Sequence, residues 1–304
     1  MMLTNNDSFL EVNIVPDNER LRFLLERKVW KEELWLEMLD TMTPTPLWPD
    51  GAPGFDPAAN QRQPALYFLE PHTGPARGLV IICAGGAFMF KSDYEADHVA
   101  RFFHNAGFQA AILDYRVHPY TQEHWLADGR RAVRFARAHA AKWNVRPDRI
   151  AMLGFSAGGM LTGMCATLYD AGDPDAADPV ERVSSRPDTA VVCYGSFCRA
   201  SFPQSGISYN LEAQREAARF APEKNVREDC PPFFLFENLD DDPRGILRMG
   251  QELADRGILF ELHLFPTGKH GEGLYDGKHP SAPLDAHTAK WSGLAVDWLE
   301  MLDF

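Results

Sequence analysis

Between Arg149 and Leu161 the chain reads RIAMLGFSAGGML: a short apolar run, a turn built on GxSxG, then small helix-compatible residues. This is the sequence form of a nucleophile elbow, with Ser156 at its tip. A strand that turns abruptly into a helix strains the nucleophile's backbone and brings neighbouring backbone close. Gly154 and Gly158 remove the side chains that would clash there. A serine hydroxyl is a poor nucleophile at neutral pH and needs a base within hydrogen-bond reach, itself oriented by a carboxylate. Among ten histidines, His270 sits in FPTGKHGEGL, a glycine-rich loop just after the last strand-like run, and is the expected base. His263 lies inside a strand pattern, and the others lie in helices or loops without that relation. The acid is expected on the loop after PPFFLFEN, where the chain offers Asp240, Asp241 and Asp242 in succession. One of them faces His270; the other two are solvated loop charges or turn caps.

Acyl chemistry also needs donors for a tetrahedral oxyanion. The run VIICAGGAF ends a strand in small residues, where backbone N–H groups can approach without intervening side chains. Gly86 and Ala87 are the expected donors on this loop, joined by the N–H of Ala157, the residue after the nucleophile. Phe88, Phe155 and Met160 flank the same loops and are either a small apolar acyl pocket or ordinary core.

These residues must be held by a scaffold, and the chain supplies alternating elements. Strand-like runs fall at Ala65 to Leu69, Leu79 to Cys83, Gln109 to Tyr115, Ile150 to Gly154, Ala190 to Tyr194, Phe233 to Phe236 and Phe260 to Phe265, with helical runs between them. Such alternation predicts an α/β fold, a mostly parallel sheet covered by helices. Ser92 with Glu95 reads as a capping box ahead of Val99, Phe102 and Phe103, and Trp125 to Lys142 reads as an Ala/Arg-rich helix. An amphipathic helix is expected from Asn18 to about Thr41, with Leu21, Leu24, Leu25, Trp30, Leu34 and Met38 near helical spacing. It packs on the main body, caps the site or makes a subunit contact. The Pro- and Gly-rich stretch after it is loop. The expected organisation is an N-terminal helical extension over 1–46 and a catalytic domain over 47–304. Within that domain, 199–232 fits no simple βα unit and is the place for a lid or substrate-binding insertion.

At 304 residues and 45% hydrophobic content the chain can bury one sizeable core. A net charge of -13 argues against nucleic acid and anionic membrane as partners and favours a small or neutral substrate. Five cysteines show neither a disulfide framework nor a CxxC zinc pattern. The N-terminal residues lack the pattern of a secretory signal, and the apolar runs are strand-sized, so a cytoplasmic protein is expected. A homo-oligomer is compatible with this composition, as is a monomer.

With elbow, acid and base in chain order, the sequence resembles the α/β-hydrolase superfamily, and within it the acetyl-esterase, acetyl-xylan-esterase-like branch. CAGGAF, SDYEADHVARFF, GFQAAILDYRV, RPDRIAMLGFSAGG, SSRPDTAVVCYGS, PPFFLFENLDD and ELHLFPTGKHG carry the likeness, which spans roughly Leu47 to the C-terminus. Ala84 and Ala87 stand where the family commonly has a proline and a glycine, and Phe88 where it has a tyrosine. The resemblance implies a triad of Ser156, Asp241 and His270, the second aspartate of the family's PPxFLxxxxDD pattern being the acid. It also implies hydrolysis of short-acyl esters, perhaps of acylated sugars, without metal or cofactor. The same triad would serve a lactone, an arylformamide or a small amide, and the fold can also be kept as a ligand-binding module.

Overall fold

The computed structural model describes residues 28, 31–75, 77–195, 218–279 and 282–304. Seven long strands appear where the apolar runs predict them. They are β2 (Ala65–Phe68), β3 (Leu79–Cys83), β4 (Gln109–Asp114), β5 (Ile150–Phe155), β6 (Thr189–Cys193), β7 (Phe233–Asn238) and β8 (Phe260–Phe265). With a two-residue edge strand β1 (Thr45–Pro46) they form one eight-stranded sheet in the order β1-β2-β4-β3-β5-β6-β7-β8. β3 to β8 are parallel, while β2 runs antiparallel to both of its neighbours.

Side chains alternate across each strand, so the sheet buries two faces. On one face Val80, Ile82, Leu153, Val191 and Phe236 meet helices α2 (Asp97–Asn105) and α6 (Lys290–Met301). On the other, Leu79, Ile81, Met152, Val192 and Leu235 meet α3 (Gln122–Ala138), α4 (Ala157–Thr167) and α5 (Arg244–Asp255). Covered on both sides, β5 is buried along its whole length, which explains its unbroken apolar sequence.

A helix over 31–40, α1, is the described part of the expected N-terminal helix. Trp35 and Leu39 enter the core beside α2 and α6, and the indole N–H of Trp35 donates to the buried Asp114 at 3.0 Å. Apart from Lys28, the N-terminal part of that helix, like 199–217 of the expected insertion, lies outside the described residues. The C-terminal end of the insertion is described: Phe220 packs into the core beside α4, and Pro222–Lys224 forms a 3-10 turn.

Two local readings need correction, and one element had none. The Ser92 side chain makes no cap hydrogen bond, and Glu95 turns inward from a 3-10 turn at Asp93–Glu95, so no capping box opens α2. The capping box that does exist joins Thr121 and His124 at the start of α3, and that helix ends at Ala138 rather than running to Lys142. A two-stranded hairpin, β9 (Asp276–His279) and β10 (Ala282–Leu284), stands between β8 and α6; its short polar strands carry no periodic signal. No helix among the described residues is long and apolar enough to cross a membrane.

Candidate active site

β5 hands over to α4 through Ser156 alone. Ser156 adopts φ 51° and ψ −115°, a conformation that favours glycine, and its N–H donates to the Cys193 carbonyl on β6 at 3.0 Å. The crowding that requires the flanking glycines is severe: a Cβ on Gly154 would lie 2.1 Å from the Gly158 carbonyl oxygen. One on Gly158 would lie 2.0 Å from that of Cys83. The elbow is thereby wedged against the end of β3.

His270 stands on the loop after β8, between left-handed glycines at 268 and 271. Its Nε2 is 2.7 Å from Ser156 Oγ, and its Nδ1 is hydrogen-bonded to Asp241 Oδ2. Asp241 follows β7 in a turn closed by its own N–H to the Asn238 carbonyl. Burial alone would raise the Asp241 carboxyl. The hydrogen bond and charge of His270, with the N–H of Asp242, outweigh it and hold the group below the usual aspartate range. Asp242 is occupied elsewhere, paired with Arg244 at the start of α5, and Asp240 is exposed.

A second link fixes the acid strand to the base loop. Asn238 Nδ2 donates to the Tyr275 hydroxyl at 2.7 Å, and that hydroxyl donates to the Lys269 carbonyl, also at 2.7 Å. Nothing in the periodicity of β7 distinguishes Asn238 from a core position; only its polarity at a strand end hints at a role.

The loop after β3 is held from below. Tyr115 donates its hydroxyl to the Ala84 carbonyl at 2.6 Å, and the His118 N–H donates to the Phe88 carbonyl at 2.7 Å. Gly86, Ala87 and Phe88 all have positive φ, so Ala87 carries its methyl in the left-handed region. Among the described residues the N–H groups of Gly86 and Ala87 meet no protein acceptor. Ala157 is the first residue of α4, so its N–H has no partner within the helix.

Of the three residues weighed for an acyl pocket, Phe155 is core: its ring is fully buried, 5.7 Å from Trp291 and 5.5 Å from Tyr194. It points under the sheet because β5 alternation sends it to the face opposite Met152. Phe88 is also buried, stacked on Trp125 at 3.7 Å, and so belongs chiefly to the packing between loop and α3. Met160, on the first turn of α4, is only half-buried.

Two groups that sequence reasoning missed complete the surroundings. Glu95, read as a cap, accepts the Gly85 N–H and the Tyr194 hydroxyl, both at 2.7 Å. Burial raises its carboxyl above the ordinary value, opposed by those two hydrogen bonds. Tyr194, one residue past β6, has no motif to announce it.

Strand order, elbow and the chain order of serine, acid and histidine define an α/β hydrolase. The BD-FAE family pattern matches residues 66–193. A solved acetyl ester-xyloside bifunctional hydrolase from Caldicellulosiruptor lactoaceticus is 31% identical, with a TM-score of 0.76 over 86% of this chain and 96% of that one. Endo-1,4-beta-xylanase B of Butyrivibrio fibrisolvens is 28% identical over 68% of this chain and 34% of its own length. The acetylxylan esterase of Xylanibacter ruminicola is 22% identical over 67% of this chain and 42% of its own. The chain thus spans only about a third to two fifths of the curated relatives it matches. It belongs to the acetyl-xylan-esterase-like family of α/β hydrolases.

Proposed function

We propose that this protein is a serine carboxylic-ester hydrolase acting on short-acyl esters, acetyl above all, carried on sugars such as xylose units. The observation that carries this reading is the unbroken chain of contacts from Ser156 Oγ through both nitrogens of His270 to Asp241. In the first half-reaction His270 Nε2 takes the Ser156 proton as Oγ attacks the acyl carbonyl. Charge on the carbonyl oxygen is met by the N–H groups of Gly86, Ala87 and Ala157. Asp241 holds the imidazole through Nδ1 and stabilises the imidazolium. His270 then protonates the departing sugar hydroxyl, and the acyl group stays on Ser156. Water enters, gives a proton to the same nitrogen as its oxygen attacks the acyl carbon, and the Oγ–acyl bond breaks as His270 returns that proton to Ser156, releasing the carboxylic acid.

Short acyl groups are supported by the relatives that bear acetyl-ester names. The test is hydrolysis of p-nitrophenyl esters from acetate to octanoate, then of acetylated xylo-oligosaccharides, by wild type and Ser156→Ala. Turnover greatest on acetate and reduced at least about a thousandfold in Ser156→Ala is the expected result. Equal rates in the two proteins, or none on any ester while an amide or lactone is cleaved, overturn it.

A further inference from the structure

Glu95 is 1% exposed, and no step above uses it. Its hydrogen-bond donors are the neutral Gly85 N–H and Tyr194 hydroxyl, and the charges of His270 and Lys31 also favour its ionised form. A buried carboxylate is costly, and a glutamine would fill the same space more cheaply. Each of its oxygens accepts a hydrogen bond. Oε2 accepts the Gly85 N–H, and Oε1 accepts the Tyr194 hydroxyl, which already accepts the Gly273 N–H at 2.9 Å.

Those three contacts join the parts of the site that the chain keeps far apart. Gly85 opens the loop that carries Gly86 and Ala87, and a Cβ on it would lie 2.8 Å from Glu95 Oε2 and 2.9 Å from Ser156 Cβ. Gly273 lies three residues past His270, and the Tyr194 ring centroid is 5.1 Å from that of His270. We propose that Glu95 is a positioning residue of the site: one buried carboxylate fixes the oxyanion-side loop through Gly85 and the His270 loop through Tyr194 and Gly273. Its charge favours the imidazolium that forms when His270 takes the Ser156 proton. The proposal rests on the triad reading above. The other groups facing the carboxylate are Lys31 of α1, Tyr115 after β4, Cys193 and Tyr194 at the end of β6, and Tyr275 beyond His270.

The experiment compares Tyr194→Phe, Glu95→Gln and Glu95→Ala with wild type. It measures kcat and KM on p-nitrophenyl acetate across pH, the rate of Ser156 labelling by a phosphonate, and thermal melting. Tyr194→Phe removes the hydroxyl that joins Glu95 Oε1 to the Gly273 N–H and keeps the Glu95 carboxylate. It should lower kcat and the labelling rate about tenfold or more, with KM within about threefold and the acid limb of the pH profile in place. Glu95→Gln keeps the shape and removes the charge. Its acid limb should move to lower pH by about half a unit or more, because the imidazolium loses a stabilising anion. Its kcat should exceed that of Glu95→Ala. If Glu95→Ala fails to fold, the other two variants decide. Folded Tyr194→Phe and Glu95→Gln with kcat within about twofold of wild type and an unmoved acid limb overturn the proposal. A wild type that neither labels nor hydrolyses overturns the triad reading itself, and this proposal with it.

Discussion

Three adjacent aspartates stood within reach of the histidine, with the family resemblance favouring Asp241, and the geometry separates them by what each already does. Asp241 is closed into a turn by the Asn238 carbonyl and aimed at His270 Nδ1, Asp242 pairs with Arg244, and Asp240 faces solvent. Asp241→Asn should lower kcat/KM on p-nitrophenyl acetate by roughly 100- to 10,000-fold, through loss of the correct tautomer and of imidazolium stabilisation. Asp240→Asn should leave it within about twofold, since an exposed loop charge contributes little. Steady-state kinetics on the two purified variants checks both. The turn at Ser156 and the loop of His270 were legible because their geometry needs glycines, and glycine at 154, 158, 268 and 271 leaves a mark in the sequence. The aspartates carry no such mark in their own residue types: they are separated by the turn after β7, where Asp241 donates its N–H to the Asn238 carbonyl and Asp242 pairs with Arg244. Glu95 misled for the opposite reason. A Ser-x-x-Glu spacing fits a helix cap, but a fully buried carboxylate answers to the groups across the core rather than to its own turn.

At the scale of elements, the strands were readable wherever burial on both faces forces a continuous apolar run, as at β3, β5 and β7. Their ends were less so: β5 extends one residue past the expected Gly154, and β7 runs two residues past Phe236 into Glu237 and Asn238. The paired carboxylate and amide sides of that extension cannot be seen in hydrophobicity. β9 and β10 escaped notice because a hairpin lying off the sheet buries little and so imposes no alternation. α1 illustrates how much a peripheral helix can weigh. Trp35 is buried against the main sheet and donates to Asp114, whose other partner is the buried Lys91 at 2.7 Å. Trp35→Ala should therefore cost about 3–5 kcal/mol, the range for deleting a large core side chain, and should leave Asp114 short of a donor. Urea denaturation followed by far-UV circular dichroism measures it. A loss below about 1 kcal/mol would mean that α1 is dispensable to the core.

For the whole molecule, pH acts on stability through buried acids. Glu237, on the face of β7 opposite Phe236, is pushed up to about 9, chiefly by burial, with the negative charges of Asp241 and Asp242 adding to it. In native protein it keeps a proton that the unfolded chain releases near pH 4.5. Its contribution is complete below that pH and is lost as pH rises towards about 9. Glu237→Gln should thus be neutral at pH 4 and stabilising on the order of 1–3 kcal/mol at pH 8, with melting temperatures across pH as the check. The order of the strands was the least legible property, since crossovers such as β4 to β5 past β3 depend on packing between distant segments. That order has a consequence for how the protein fails. Its reactive groups ride on the ends of β3, β5, β7 and β8, with β6 between β5 and β7. No single strand, hairpin or fragment carries the set. Loss of function under stress should then be all-or-none, and labelling of Ser156 should vanish at or before the denaturant concentration at which circular dichroism reports unfolding. Labelling that outlasts the dichroism signal would mean that part of the sheet survives as an autonomous unit.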